Sequence, residues 1–331
     1  MLANLLTLAL IALDPGITAL QSADARVGTI AYRLQTANVA LCSDVEPLAG
    51  FEVQTIAQYQ PDVRAAVTAQ TGIGRQPNVK VIIADGAADR AGLKIGDTLT
   101  AINGTPTPDD LPVRASYASL AKAQHMIDDA LKKPPIILSI IRGASEHTIE
   151  ISGIPGCASR VEVATGKGLR ARADGSLVQI SSTLVDFAEN DNELAAIVAH
   201  ELSHNILHHH LRFATEKVSR GVFAGLGKNG EELRKSEYEA DRLGVWLVAR
   251  AGYDITAIEP LWSRLGRHMG HTTILGSTHP DWKDRTAQVS AAVAEIRSQR
   301  AAALPLIPTK LSLSGSRQRS NCTPLDGRIC L

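Results

Sequence analysis

The sequence predicts an α+β protein: a mainly helical domain carrying a small sheet, preceded by a smaller β-rich domain. Three observations predict it. Asn192 to His204 and Glu231 to Arg250 carry apolar residues at helical spacing, with further helical stretches at Ile255 to Met269 and Trp282 to Arg300. Gly168 to Val185 alternates apolar and polar residues around Asp174-Gly175, the pattern of a hairpin. Asn78 to Gly104 reads as a strand, a short helix stopped by Gly92, a tight turn at Gly96-Asp97, a second strand and an Asn-Gly turn.

At the N-terminus, Leu5 to Leu13 is an apolar run, broken by Asp14-Pro15-Gly16 and followed by the small-residue pattern Ala23-Asp24-Ala25. Residues 1–25 are therefore expected to be a signal peptide, although Met1 to Asn4 lacks the usual Lys or Arg. The run is too short for a membrane span. Residues 26–70 are expected to form an irregular strand and helix segment packed on the helical domain. Domain boundaries are expected at 71–155 for the β-rich domain and 156–304 for the helical one, with a tail at 305–331 rich in Ser, Arg and Pro.

The helices carry the chemistry. His200 and His204 in His200-Glu201-Leu202-Ser203-His204 stand one helical turn apart, so both rings project from one face and can reach one ion. Glu201 beside them is the candidate general base. A catalytic zinc site keeps one position open, so three protein ligands are expected, and Glu237 is the best third. One turn on, Asp241 is placed to accept the proton on the outer nitrogen of His200. Ala195 to Ala199 make the entering helix almost wholly apolar, and a buried helix would strand these polar groups without a metal. Asp191 or Asn192 is the candidate cap of this helix, and either could equally be ordinary loop polarity. Of His208, His209 and His210, His208 continues the zinc face one turn on, which suits a supporting or solvated role. Gly221 to Gly230 is expected to be a glycine-rich loop between the two zinc-site helices, either a lid or a plain disordered crossover.

Asn192 to His204 together with Glu237 to Gly244 resembles the HtpX/Oma-type family of gluzincin metallopeptidases, over about Arg160 to Arg300. The resemblance implies a zincin-like domain binding one Zn2+ per chain through His200, His204 and Glu237, with Glu201 as base and Asp241 behind His200. It also implies that His279, in His279-Pro280, contacts substrate or transition state near the metal, and that Arg285 has a structural or oxyanion-side role. The family places an edge strand before the zinc helix, which assigns substrate pairing here to Gln179, Ile180 and Ser181.

Asn78 to Gly104 is similar to a bacterial PDZ domain, implied to span about Thr71 to Gly153. The likeness makes Ala115 to Leu131 the groove helix and Ile136 to Ile141 and His147 to Ile151 the closing strands. The glycine loop Gly72-Ile73-Gly74 would then take a peptide carboxylate on its main-chain N–H groups or, if degenerate, merely pack the domain.

Four cysteines in an exported chain suggest two disulfides, although neither their number nor their spacing fixes the pairing. Cys322 and Cys330 enclose a short polar loop and are natural partners, which leaves Cys42 with Cys157. A formal net charge of 0 argues against a nucleic-acid partner, and 331 residues at 44% hydrophobic can bury two cores. The expectation is a soluble, periplasmic zinc endopeptidase of a Gram-negative bacterium. It would cleave misfolded proteins or peptides, with the PDZ domain recruiting substrate or regulating access. The alternative is a non-catalytic or latent zinc-containing envelope chaperone or scaffold that binds peptide C-termini through the PDZ groove.

Overall fold

Alternating apolar positions become strands in the first half of the chain, and positions at helical spacing become helices in the second. A computed structural model of the chain describes residues 15–218, 227–269 and 282–309. The helices are α1 (Pro15–Ala37), α2 (Arg64–Thr71), α3 (Ala87–Arg90), α4 (Ala118–Leu131), α5 (Ser182–Phe187), α6 (Asp191–Ile206), α7 (His209–Thr215), α8 (Gly227–Arg250), α9 (Ile258–Met269) and α10 (Trp282–Ala301). The strands are β1 (Val45–Leu48), β2 (Phe51–Gln54), β3 (Asn78–Ile82), β4 (Thr98–Ile102), β5 (Thr105–Pro106), β6 (Ile136–Arg142), β7 (Ser145–Ile151), β8 (Ile154–Cys157), β9 (Arg160–Ala164), β10 (Ala171–Ala173) and β11 (Leu177–Ser181). Among the described residues no helix is long and apolar enough to cross a membrane.

The chain divides into two compact units, the first made of residues up to Ala25 and Ala49–Gly153. Its antiparallel sheet runs β2-β3-β4-β6-β7, with β5 on β4. In β6 the alternation sends Ile136, Leu138 and Ile140 into the core and leaves Ile137 exposed. These meet Val53, Val79, Leu93 and Leu99 from the rest of the unit and Leu120, Ile127 and Leu131 from α4. The expected Asn-Gly turn is there. Asn103 and Gly104 both have positive φ, 49° and 78°, as a tight hairpin between β4 and β5 requires.

Three expectations for this unit need correction. The sheet begins at Phe51, because β2 pairs with β3 from Phe51↔Ile82 to Gln54↔Asn78, so the sheet-bearing part of the unit runs Ala49–Gly153 and the expected 26–70 and 71–155 segments are divided elsewhere. Gly72-Ile73-Gly74 is not an open anion loop. Gly72 is the left-handed cap of α2 and donates its N–H to Thr68, while Ile73 is fully buried with Ile56 and Val67 and directs its N–H to Thr71 Oγ1. Finally, Ala23-Asp24-Ala25 lies inside α1, where buried Asp24 pairs with Lys80 at 2.9 Å. A cut there would sever a folded helix. The apolar run Leu5 to Leu13 lies outside the described residues.

The second unit comprises Arg26–Leu48 and the chain from Ile154 onward. β1 and β8 form an antiparallel ribbon in register from Val45↔Cys157 to Leu48↔Ile154. Cys42 and Cys157 are disulfide-bonded with a Cα separation of 5.5 Å, the expected pair. Cys322 and Cys330 lie outside the described residues. A three-stranded sheet has the order β10-β11-β9, with β10 antiparallel and β9 parallel to β11. The expected hairpin turn is fixed by Asp174, whose Oδ1 accepts from the N–H groups of Ser176 and Leu177.

α6 is the central helix of this unit. Leu194 to Ala199 and Leu202 are all buried, so it is covered on every side. α8 packs along it, and α10 packs on α8 and α9. The closest approach is at Gly244, where an added Cβ would stand 3.3 Å from the His200 nitrogen. A glycine there brings α8 near enough for its carboxylates to reach the α6 histidines. Of the expected loop 221–230, residues 227–230 are the first turn of α8, and the remainder lies outside the described residues.

Candidate metal centre

α6 starts one residue earlier than expected. Asn190 is the cap, its Oδ1 accepting from the N–H groups of Asn192 and Glu193, while Glu193 Oε2 accepts from Glu189 N–H at 2.8 Å. The two expected caps are engaged elsewhere: Asp191 pairs with Arg26, and Asn192 Oδ1 accepts from Asp254 N–H. Glu193 is buried and ion-paired to Arg264, which anchors α9 beside the start of α6. Burial alone would raise its pKa, but the Arg264 hydrogen bond and the Glu189 N–H hold it below the usual carboxylate range.

With the helix phased this way, His200 and His204 face α8. His200 Nε2 is 3.3 Å from His204 Nε2, and these two atoms lie 3.4 and 3.5 Å from oxygens of Glu237. Among the described residues these three are the one group able to hold a metal ion. Ligands about 2.0–2.1 Å from a tetrahedral zinc lie about 3.3 Å apart, so this triangle matches the ion's size. Its charge also suits a cation. Burial and the Arg285 charge press the His200 pKa down, but hydrogen bonds to Asp241 and Glu237 outweigh them and carry it to about 9.

Each histidine is held from behind. His200 Nδ1 faces Asp241 Oδ1 at 3.0 Å, the expected partner. Arg285 from α10 takes both oxygens of Asp241, Nε to Oδ2 at 2.8 Å and Nη2 to Oδ1 at 2.7 Å, and its guanidinium lies over the Trp262 ring at 4.4 Å. Burial opposes ionisation of Asp241, yet the Arg285 charge keeps its carboxyl below the ordinary range. Of the structural and oxyanion-side roles expected for Arg285, the contacts to Asp241 fit the structural one. Glu201 is buried and follows His200 on the same helix. His279 lies outside the described residues.

Behind His204 stands a residue that helix spacing does not point to. α6 ends at Ile206 and His208 is left-handed at φ 52°, which breaks the register and turns His208 to Ser43 Oγ at 2.7 Å. The next residue, His209, is fully buried, with its Nδ1 2.8 Å from His204 Nδ1. His209 Nε2 is 3.1 Å from Glu239 Oε2, which Arg212 also holds at 2.7 Å. Burial lowers the His209 pKa against the pull of Glu239. Glu239 was within view, since it sits in the run from Glu237 to Asp241, but nothing in the spacing joins it to His209.

The strand expected to pair with substrate is not an edge strand. β11, with Gln179, Ile180 and Ser181, is the middle strand and is paired on both sides, so a peptide cannot add to it. The outer strands are β9 and β10, each paired only with β11 among the described residues. Ser181 N–H donates to the Arg170 carbonyl and Asp174 N–H to the Leu177 carbonyl, so residues 170, 172 and 174 turn their peptide groups to β11. Ala171 and Ala173 therefore turn theirs to the open side. Asn205 on α6 fixes this edge to the metal helix, its Oδ1 accepting from Gly175 N–H at 2.8 Å and its amide donating to Ser159 Oγ at 2.8 Å.

Comparison with known proteins agrees with both parts of the chain. Residues 79–124 match the PDZ domain model, and residues 163–227 and 229–293 match the model of peptidase family M48. The chain is 29% identical over 147 residues to the mitochondrial metalloendopeptidase OMA1 of Schizosaccharomyces pombe, covering 38% of this chain and 44% of that protein. It is 27% identical over 142 residues to a protein of Vibrio cholerae that bears the name beta-barrel assembly-enhancing protease, covering 34% of this chain and 29% of that one. With OMA1 of Arabidopsis thaliana the identity is 31% over 137 residues, covering 36% and 28%. The chain thus spans less than half the length of the curated relatives it matches.

Proposed function

We propose that this chain, which joins a PDZ domain to a segment of the M48 peptidase type, is a zinc-dependent endopeptidase acting on unfolded proteins or peptides. The observation that carries the proposal is the buried triangle of His200, His204 and Glu237, sized for a tetrahedral ion, with Glu201 next to it. Zinc held there, one per chain, would polarise the scissile carbonyl and acidify the attacking water.

The chain's own groups do the rest. Glu201 takes the proton from the water as its oxygen bonds to the carbonyl carbon, then gives that proton to the amine nitrogen as the C–N bond breaks. Ala171 and Ala173 hold the substrate backbone as an added strand on the β10 edge. Asp241, braced by Arg285, holds the His200 ring in place. His279 is proposed to contact the substrate near the metal.

In the first unit, β2 ends the sheet with one edge unpaired by any strand among the described residues, and α4 packs against it. That edge is where a peptide C-terminus would add, in place of the buried 72–74 segment. We place the protein in the cell envelope, outside the cytosol. The Cys42–Cys157 disulfide suits an oxidising compartment, and the Vibrio cholerae relative bears an envelope name.

Zinc content and cleavage of unfolded protein, compared between wild type and Glu201→Gln, test the proposal. Zinc should stay stoichiometric in both while cleavage falls by about 10²–10⁴-fold in the variant. Stoichiometric zinc with no Glu201-dependent cleavage would replace the peptidase by a zinc-bearing scaffold.

A further inference from the structure

We infer that His209 and Glu239 are positioning residues that fix the tautomer of His204 for the metal through a ring-to-ring hydrogen bond. The inference rests on the zinc site proposed above and assigns it a second supporting arm, distinct from Asp241.

The direction of every bond in this arm follows from one constraint. His204 turns Nε2 to the ligand triangle, 3.3 Å from His200 Nε2 and 3.5 Å from Glu237 Oε1. A ligating imidazole keeps its lone pair on that nitrogen, so its proton resides on Nδ1. Two ring nitrogens 2.8 Å apart share one proton, so His204 donates and His209 Nδ1 accepts. His209 therefore carries its own proton on Nε2, which points at Glu239 Oε2 at 3.1 Å. Arg212 at 2.7 Å from that oxygen keeps the carboxylate charged and in place.

The two metal histidines thus have matching supports of different length. Each support ends in an arginine-bound carboxylate, Asp241 with Arg285 for His200 and Glu239 with Arg212 for His204. For His204 an extra imidazole is interposed. His209 is fully buried, its ring stands at 76° to that of His204, and it is backed by Phe213, so it has one orientation in which to serve. A merely structural histidine at this place would be replaceable by an apolar side chain of similar volume. A positioning histidine is replaceable only by a side chain that accepts at the Nδ1 location.

The experiment uses the full chain and two probes, zinc affinity by chelator competition and the visible spectrum of the cobalt(II)-substituted protein. His209→Leu should bind zinc about 10–100-fold more weakly and shift the cobalt spectrum. His209→Asn, which restores an acceptor near Nδ1, should recover most of the affinity. Glu239→Gln, which keeps the shape and removes the charge, should weaken zinc by about tenfold, and it decides the matter if His209→Leu does not fold. A folded His209→Leu with wild-type affinity and spectrum overturns the inference, as does His209→Asn binding no better than His209→Leu. These outcomes are separable from failure of the zinc reading itself, in which the wild-type chain would take up no stoichiometric zinc.

Discussion

Arg285 holds Asp241 at two points, and the oxygen it binds through Nη2 at 2.7 Å is the same one that faces His200 Nδ1 at 3.0 Å. The positions of the His200 ring and of α10 are thus set by one buried carboxylate. Arg285→Met removes one side of a buried pair and should lower stability by about 3–5 kcal/mol in urea unfolding. Arg285→Lys should recover little of it, because a single ammonium cannot reproduce the two-point hold. Full recovery by lysine would show that charge alone suffices there.

Gly244→Ala tests the close approach of α8 to α6. Helix propensity favours alanine by about 1 kcal/mol. Against this, the new methyl would stand 3.3 Å from the His200 nitrogen and 3.4 Å from its Cα, and the backbone of a central helix yields little. The expected result is a lower urea midpoint together with weaker zinc binding, since Glu237 and Asp241 move outward with α8. A more stable protein with unchanged zinc affinity would refute it.

Ala173→Pro tests strand addition at β10. Proline is tolerated on an edge strand where its missing N–H faces outward, so fold and zinc content should be preserved. The substrate loses one backbone partner, and KM should rise by about tenfold with a smaller change in kcat. Gln179→Pro, in the middle strand, should instead fail to fold. Equal kinetics for Ala173→Pro and wild type would exclude this edge as the substrate strand.

Stability should depend on pH through Glu193. Its pKa in the folded chain is depressed below the ordinary value of 4.5. The contribution is therefore fully present above about pH 4.5 and is lost as pH falls through the lower, folded-state value. Wild type should be more stable than Glu193→Gln at neutral pH, and the gap between their urea midpoints should close as the solution is acidified from pH 5 to pH 3. A gap that stayed constant over that range would show that the charge on Glu193 contributes nothing.

The parts of the site that follow helical spacing were legible in the sequence. His200, His204, Glu237 and Asp241 occupy two helices at one-turn intervals, and i,i+4 spacing fixes which face they share. The Cys42–Cys157 pair was legible by elimination, and the Asn103-Gly104 turn by its need for positive φ. What was not legible depends on which elements become neighbours. The strand pattern of 168–185 reads alike whether β10 or β11 is outermost, and only pairing of β11 with distant β9 puts Ile180 inside the sheet. β2 is four residues long and separated from β3 by α2, so its place at the sheet edge has no local signature. His209 was hidden because a single left-handed residue, His208, shifts the helical register. The pattern Ala23-Asp24-Ala25 resembles a cleavage site, yet Asp24 is held there by Lys80.

The β1–β8 ribbon makes the PDZ domain a cassette. Its last paired residues, Leu48 and Ile154, are the points where the chain departs and returns, and they stand side by side as Cα partners. Two residues of Asn-Gly type could join them as an ordinary hairpin, removing 49–153 without lengthening or rotating either strand. The disulfide at the foot of that ribbon closes a separation of 115 residues and keeps both ends together whatever occupies the interval. A lineage could therefore exchange, shorten or discard the inserted module and leave α6 and α8 untouched.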